Sequence, residues 1–175
     1  MSSSQRHQGR PRAWAPGGLP SGLVGACALL VSALTFAANT CTVAADVHAF
    51  GAYDTINPTS GTSSITVTCT HDKNPAVTFS YTIALSSGPG SYASRQMTGT
   101  GDTLTYNLYT TAAHTTVWGN GTAGTATVSN SFTVPSGAGN SGFKIDTVYG
   151  LITAPQNVRA GAYSTATPIT VTVAY

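Results

Sequence analysis

The sequence predicts an all-β fold, a sandwich of about seven antiparallel strands. Three observations carry that expectation. Charged residues make up only 7% of the 175 and glutamate is absent, whereas helical bundles and coiled coils draw on abundant Ala, Glu, Lys, Leu and Arg. Apolar residues recur at every second position through most of the chain beyond residue 40, which is the period of a half-buried strand. Clusters of Gly, Pro, Asn and Ser separate these runs at short intervals, as in a sandwich, and no stretch carries a helical period that would build βαβ units.

The strands follow in order. The first spans 41–51. In the second, 62–71, Ile65, Val67 and Cys69 point one way and Thr66, Thr68 and Thr70 the other. The third, 76–86, alternates Val77, Phe79, Tyr81, Ile83 and Leu85 with small polar residues. Leu104, Tyr106 and Leu108 mark a fourth at 103–110. Two more are expected at 124–134 and 144–153, and Ile169, Val171, Val173 and Tyr175 mark the last at 168–175. Threonine suits the wet face, being polar yet β-branched. The breakers are Asn57-Pro58, Ser87 to Gly90, Gly99 to Asp102, Gly119 to Gly121 and Ser136 to Asn140.

Charge excludes one class of partner. Arg6, Arg10 and Arg12 lie at the N-terminus; beyond residue 37, Lys73, Arg95, Lys144 and Arg159 stand against five aspartates. Nucleic acid needs several clustered cations to neutralise phosphates, and none cluster here.

The three arginines precede an apolar stretch, GLVGACALLVSALTFAA, followed by small residues. This reads as a secretory signal at residues 1–37, cut after Ala37 or Ala38, with one domain over 38–175. The stretch is short of the roughly 20 apolar residues that span a bilayer, and the mature chain has no spanning segment. Two other cuts are weighed: a lipoprotein-type cut before Cys27, and a cut near Ala26 or Ala28.

Removing the leader leaves Cys41 and Cys69, an even pair in an exported protein, where a disulfide is the expected state. A two-cysteine metal site needs further ligands at short spacing; His71 and His48 do not form such a pattern.

Longer motifs then carry a resemblance. Cys41-Thr42-Val43 is followed by Phe50-Gly51-Ala52-Tyr53-Asp54; VTCT spans Val67 to Thr70; YTIALSSGPGSYASRQM spans Tyr81 to Met97; YNLYTTAAHTTVWGNGT spans Tyr106 to Thr122; YGLITAPQNVRAGAYSTATPITVTVAY closes the chain from Tyr149 to Tyr175. In that order they resemble the spore coat protein U domain family, which includes pilins of the archaic chaperone–usher (Csu-type) pathway. The resemblance implies an immunoglobulin-like sandwich that lacks its final strand, in a secreted structural protein rather than an enzyme, with no cofactor. It implies a periplasmic pilus chaperone, an outer-membrane usher and neighbouring pilin-like subunits as partners, joined by β-augmentation of an open edge. Ile169, Val171, Val173 and Tyr175 then form one side of the acceptor groove. A terminal, adhesin-like or coat-associated subunit that accepts a strand without donating one is the alternative, because a cut after Ala37 leaves three residues before Cys41. An upstream cut frees LLVSALTFAANT, residues 29–40, as a donor.

Single residues have plainer readings. His48, His71 and His114 read as surface or edge-strand histidines, since no nucleophile motif accompanies them. Trp118 reads as a buried anchor at one end of the sandwich. Ser94-Arg95 reads as loop. Asp54, Asp102 and Asp146 read as turn formers rather than calcium ligands. Gly99-Thr100-Gly101 lacks the following helix that a phosphate loop requires, and Asn120-Gly121-Thr122 is a glycosylation sequon expected by chance in a Thr-rich chain.

Overall fold

A computed structural model of the chain describes residues 39–72, 75–99 and 101–175. The expected leader, both upstream cut sites and Lys73 lie outside these residues. The described chain is all-β, with eight strands: β1 Thr40–Ala45, β2 Thr59–His71, β3 Val77–Leu85, β4 Arg95–Gly99, β5 Asp102–Tyr109, β6 Val128–Val134, β7 Asn140–Ile152 and β8 Val171–Ala174. One sheet runs β1-β2-β7-β5-β4 and the other β6-β3-β8, and every strand pairing is antiparallel.

Alternation decides which side chains meet between the sheets. Ile65, Val67 and Cys69 of β2, Val148 and Ile152 of β7, and Leu104, Tyr106 and Leu108 of β5 face Phe79, Tyr81, Ile83 and Leu85 of β3 and Val134 of β6. Each such aliphatic or aromatic side chain taken out of water contributes about 1.5–3 kcal/mol. The opposite face of the larger sheet carries Thr66 and Thr68, directly across from Ile145 and Phe143 of β7.

The ladder differs from the sequence expectation in places. β4 is an additional strand, and Arg95, expected in a loop, starts it. It turns into β5 through Gly101, whose φ of +83° favours glycine. β1 stops at Ala45 rather than 51, and β8 covers only four residues. After Ala45 the chain becomes an irregular strap over 46–55. His48 and Phe50 on this strap pack against the paired glycines Gly61 and Gly150. Gly150 sits on the core-facing side of β7 between Val148 and Ile152, and its missing side chain leaves the space that the two rings enter. Phe50 meets Tyr106 edge-on at 5.5 Å between ring centroids. Anchoring these rings takes the strap off the ladder that an alternation count extends to residue 51.

Two aromatic residues tie the sheets together. Trp118 donates its backbone N–H to Leu108 C=O (2.9 Å) in one sheet and its indole N–H to Ile83 C=O (3.1 Å) in the other. Tyr81 of β3 reaches Asp146 of β7.

Candidate functional site

Strand β8 is the end of its sheet: among the described residues it pairs with β3 and with no other strand. The hydrogen bonds of β3 show which way its backbone groups point. Ser86 N–H donates to Thr170 C=O (3.0 Å), toward β8; Leu85 N–H donates to Gly119 C=O (3.0 Å), and Ile83 C=O accepts from Trp118, both on the far side. In an antiparallel pair these directions alternate residue by residue. Val171 and Val173 lie opposite Leu85 and Ile83, so their N–H and C=O groups face outward, along the free edge. Their side chains share the face of Leu85 and Ile83 and point between the sheets.

Beyond that edge lies a cleft of about 1110 Å³. Ile169 and Val171 form one wall and the strap 46–55 the other; core residues, among them Ile65, Leu104, Tyr106 and Ile152, form the floor. The strap wall carries an exposed apolar side chain too: Val47 is 90% exposed. Cys41 N–H donates to the Tyr175 hydroxyl (3.4 Å), which brings β1 near the C-terminal residue. Main-chain groups facing away from β3 beside a trough with an apolar floor have the geometry that β-augmentation uses in general: ladder bonds to a backbone and every second side chain in a trough.

The residues singled out in the sequence fall as follows. Ile169 and Val171 are half-buried and line the cleft, Val173 is half-buried against the core beside it, and Tyr175 is exposed and borders a separate depression with Tyr81 and Asn130 rather than the cleft. Cys41 and Cys69, directly opposite in the β1–β2 register, are joined by a disulfide. Trp118 is fully buried. Four readings need correction, the first being His48, which lies on the strap with its Nε2 buried against Gly61 and Gly150 rather than on the surface or an edge strand. His71 is completely buried rather than superficial, at the end of a central strand, with Nε2 3.0 Å from Pro135 C=O. Asp146 is no turn former; it is buried within β7, where it accepts from the Tyr81 hydroxyl (2.6 Å) and from Asn130 Nδ2 (3.0 Å). Arg95 is entirely buried at the core face of β4.

Neither the strap's place in the cleft nor the burial of Arg95 outside it was legible in the sequence. His48 lines the cleft, its Nδ1 2.8 Å from Ser63 Oγ, while its Nε2 is buried without a partner. Burial holds its pKa below the usual histidine value. The ring is therefore neutral in the folded protein at neutral pH. Arg95 donates to Asn107 Oδ1 through Nη1, and through Nη2 to the carbonyls of Ser86 (2.9 Å) and Trp118 (2.7 Å). Its guanidinium lies 5.5 Å from the centre of the Tyr92 ring. Desolvation lowers its pKa, with Tyr106, Tyr92 and Tyr109 acting in the opposite sense. The partners of this buried cation are carbonyl and amide oxygens and aromatic faces, which stabilise it in the absence of a carboxylate contact. Asp54, by contrast, does shape a turn, accepting the N–H groups of Ile56 (2.8 Å) and Asn57 (2.6 Å).

Among the described residues no three His, Cys, Asp or Glu side chains converge to hold a metal ion, and no helix is long and apolar enough to cross a membrane. The family model described as the Spore Coat Protein U domain matches residues 27–172. No curated protein sequence matches the chain.

Proposed function

The chain belongs to the Spore Coat Protein U domain family, and from that premise we propose that it is an exported structural subunit of a surface assembly, a pilus or a spore coat, that accepts a β-strand from a partner in the cleft beside β8. One observation carries the proposal: the free edge formed by Val171 and Val173, with main-chain groups outward, the Val171 side chain lining the apolar cleft and Val173 packed against the core beside it. In an immunoglobulin-type sandwich the strand that follows the last one here lies on that side. Left unfilled, such an edge and trough invite aggregation. A periplasmic chaperone fills the cleft first in this reading, and a segment from a neighbouring subunit replaces it at the usher. The disulfide, the sparse charge and the threonine-rich face suit a durable extracellular part.

The family match begins at residue 27, upstream of Ala37 and Ala38. That supports the cut near Ala26 or Ala28, in which residues 29–40 stay with the mature chain and serve as the donor for the next copy. A cut after Ala37 instead makes the subunit a strand acceptor that ends an assembly. Intact-mass measurement of exported protein separates the two.

The acceptor reading is tested on the exported chain with a synthetic peptide of residues 29–40, LLVSALTFAANT, and with a co-expressed periplasmic chaperone. Four or five side chains entering the trough at about 1.5–3 kcal/mol each, less ordering costs, are comparable with the whole stability of a domain, about 5–15 kcal/mol. An increase in Tm of about 10 °C or more is expected, and Val171→Asp with Val173→Asp abolishes it. A chain already highly stable and indifferent to both partners overturns the reading.

A further inference from the structure

Near the point where β8 begins, Ser86 is held by a residue that does not line the cleft. Continuing the β3–β8 register by one position pairs Ser86 with Thr170. In an undisturbed ladder such a pair exchanges both main-chain bonds. Here only one forms, from Ser86 N–H to Thr170 C=O (3.0 Å). The other half is diverted. Ser86 C=O accepts from Arg95 Nη2 (2.9 Å), and Thr170 N–H turns instead to Ser86 Oγ (2.8 Å). Beyond this point the ladder stops, and Ile169 packs over Gly88, where an added Cβ would come within 2.5 Å of Ile169 Cδ1.

We propose that Arg95 is the positioning residue of the acceptor edge: by withdrawing the Ser86 carbonyl from the ladder it fixes where β8 parts from β3, and so sets the register in which an incoming strand meets Val171 and Val173. The inference rests on the acceptor reading for its consequence, though not for its geometry. Arg95 is suited to the task because its fork reaches several acceptors at once. One nitrogen holds Asn107 of β5, the other holds both Ser86 and the Trp118 carbonyl. The clamp thus ties Ser86, which receives the chain at the start of β8, to the opposite sheet. Lysine, a single point donor, cannot reproduce the planar fork. The guanidinium is completely buried, and among the described residues its Nε makes no hydrogen bond.

Hydrogen exchange on the full exported chain tests this without any partner. Arg95→Lys and Arg95→Met are expected to speed exchange of the β8 amides, Thr172 and Ala174, about tenfold or more, while Val67 of β2 and Val148 of β7 keep their protection, because local opening and global unfolding report separately. A merely structural role would raise exchange across all strands together; that result, or unchanged exchange at β8, overturns the proposal. Should both variants fail to fold, Ser86→Ala decides it: the Arg95 contacts remain, the acceptor for Thr170 N–H is lost, and selective loss of protection in β8 is again required. The second arm measures affinity for the 29–40 peptide. Weakening of about tenfold in the Arg95 variants that fold, or in Ser86→Ala, accompanies the register role, and unchanged affinity refutes it. Failure of the unsubstituted chain to respond to either peptide or chaperone sinks the acceptor reading, while the exchange data still decide whether Arg95 sets the β8 edge.

Discussion

The Tyr81 hydroxyl donates a 2.6 Å hydrogen bond to the carboxylate of Asp146, joining β3 to β7 across the interior of the sandwich. Asn130 of β6 completes the contact from the other carboxylate oxygen. Burial, then the hydrogen bond and charge of Asp146, push the Tyr81 phenol well above its ordinary pKa.

Tyr81→Phe leaves this buried carboxylate with one fewer donor. A loss of about 1–3 kcal/mol in unfolding free energy is expected, measured by urea denaturation. Asp146→Leu in the same chain should cost less than the two single changes added together, because the residues share one contact.

Trp118 fills the space between the sheets and bonds to both. Trp118→Ala should destabilise by about 3–5 kcal/mol. In the exported chain its emission should be blue-shifted when folded and move to the red on unfolding; solvated emission from the folded protein would contradict the burial.

Cys41 and Cys69 close a loop with a sequence separation of 28. Replacing both by serine should cost about 3–4 kcal/mol, on the chain-entropy account. Mass analysis with and without reduction should show both thiols blocked in the native chain.

Acid should weaken the strap. His48 titrates lower in the fold than its ordinary value of 6.5, so below about that pH the unfolded chain binds the proton more readily and stability falls. Above it the contribution is fully present. His48→Gln should flatten this part of the pH–stability curve, and an unchanged slope between about pH 6.5 and 5 would place the effect elsewhere.

Gly150→Val puts a Cβ within 2.6 Å of Phe50 Cε1 and against His48 Nε2. Overpacking of this kind costs about 1–3 kcal/mol. Hydrogen exchange in residues 46–53 should rise, since those two rings hold the strap.

Strands were legible wherever one face is dry and the other wet. β2 and β3 announce themselves because Ile65, Val67, Phe79, Tyr81 and Ile83 alternate with hydroxyl-bearing or small neighbours, and the pleat turns that alternation directly into a core face. β4 was hidden because the core-facing residue that opens it is an arginine, which a reading by hydropathy sends to the surface. The 46–51 stretch misled in the opposite sense: its alternating His48 and Phe50 do point inward, but into a gap left by Gly61 and Gly150 rather than along a ladder. Asp146 and His71 were misplaced for a related reason. A single sequence shows that a side chain is polar, not that a partner from a distant strand satisfies it.

The sequence by itself determined the all-β class, most of the strands, the cysteine pair and the family, because period-two alternation, redox pairing and long ordered motifs are local or compositional signals. Only the tertiary structure decided which edge stays free, where the trough lies and what shapes its end. Those depend on strand order and on bonds such as Arg95 to Ser86 and Trp118, which close across 9 and 23 residues. A free edge belongs to the arrangement of strands: Val171 and Val173 are open because β8 ends its sheet, and no property of the two valines alone records that.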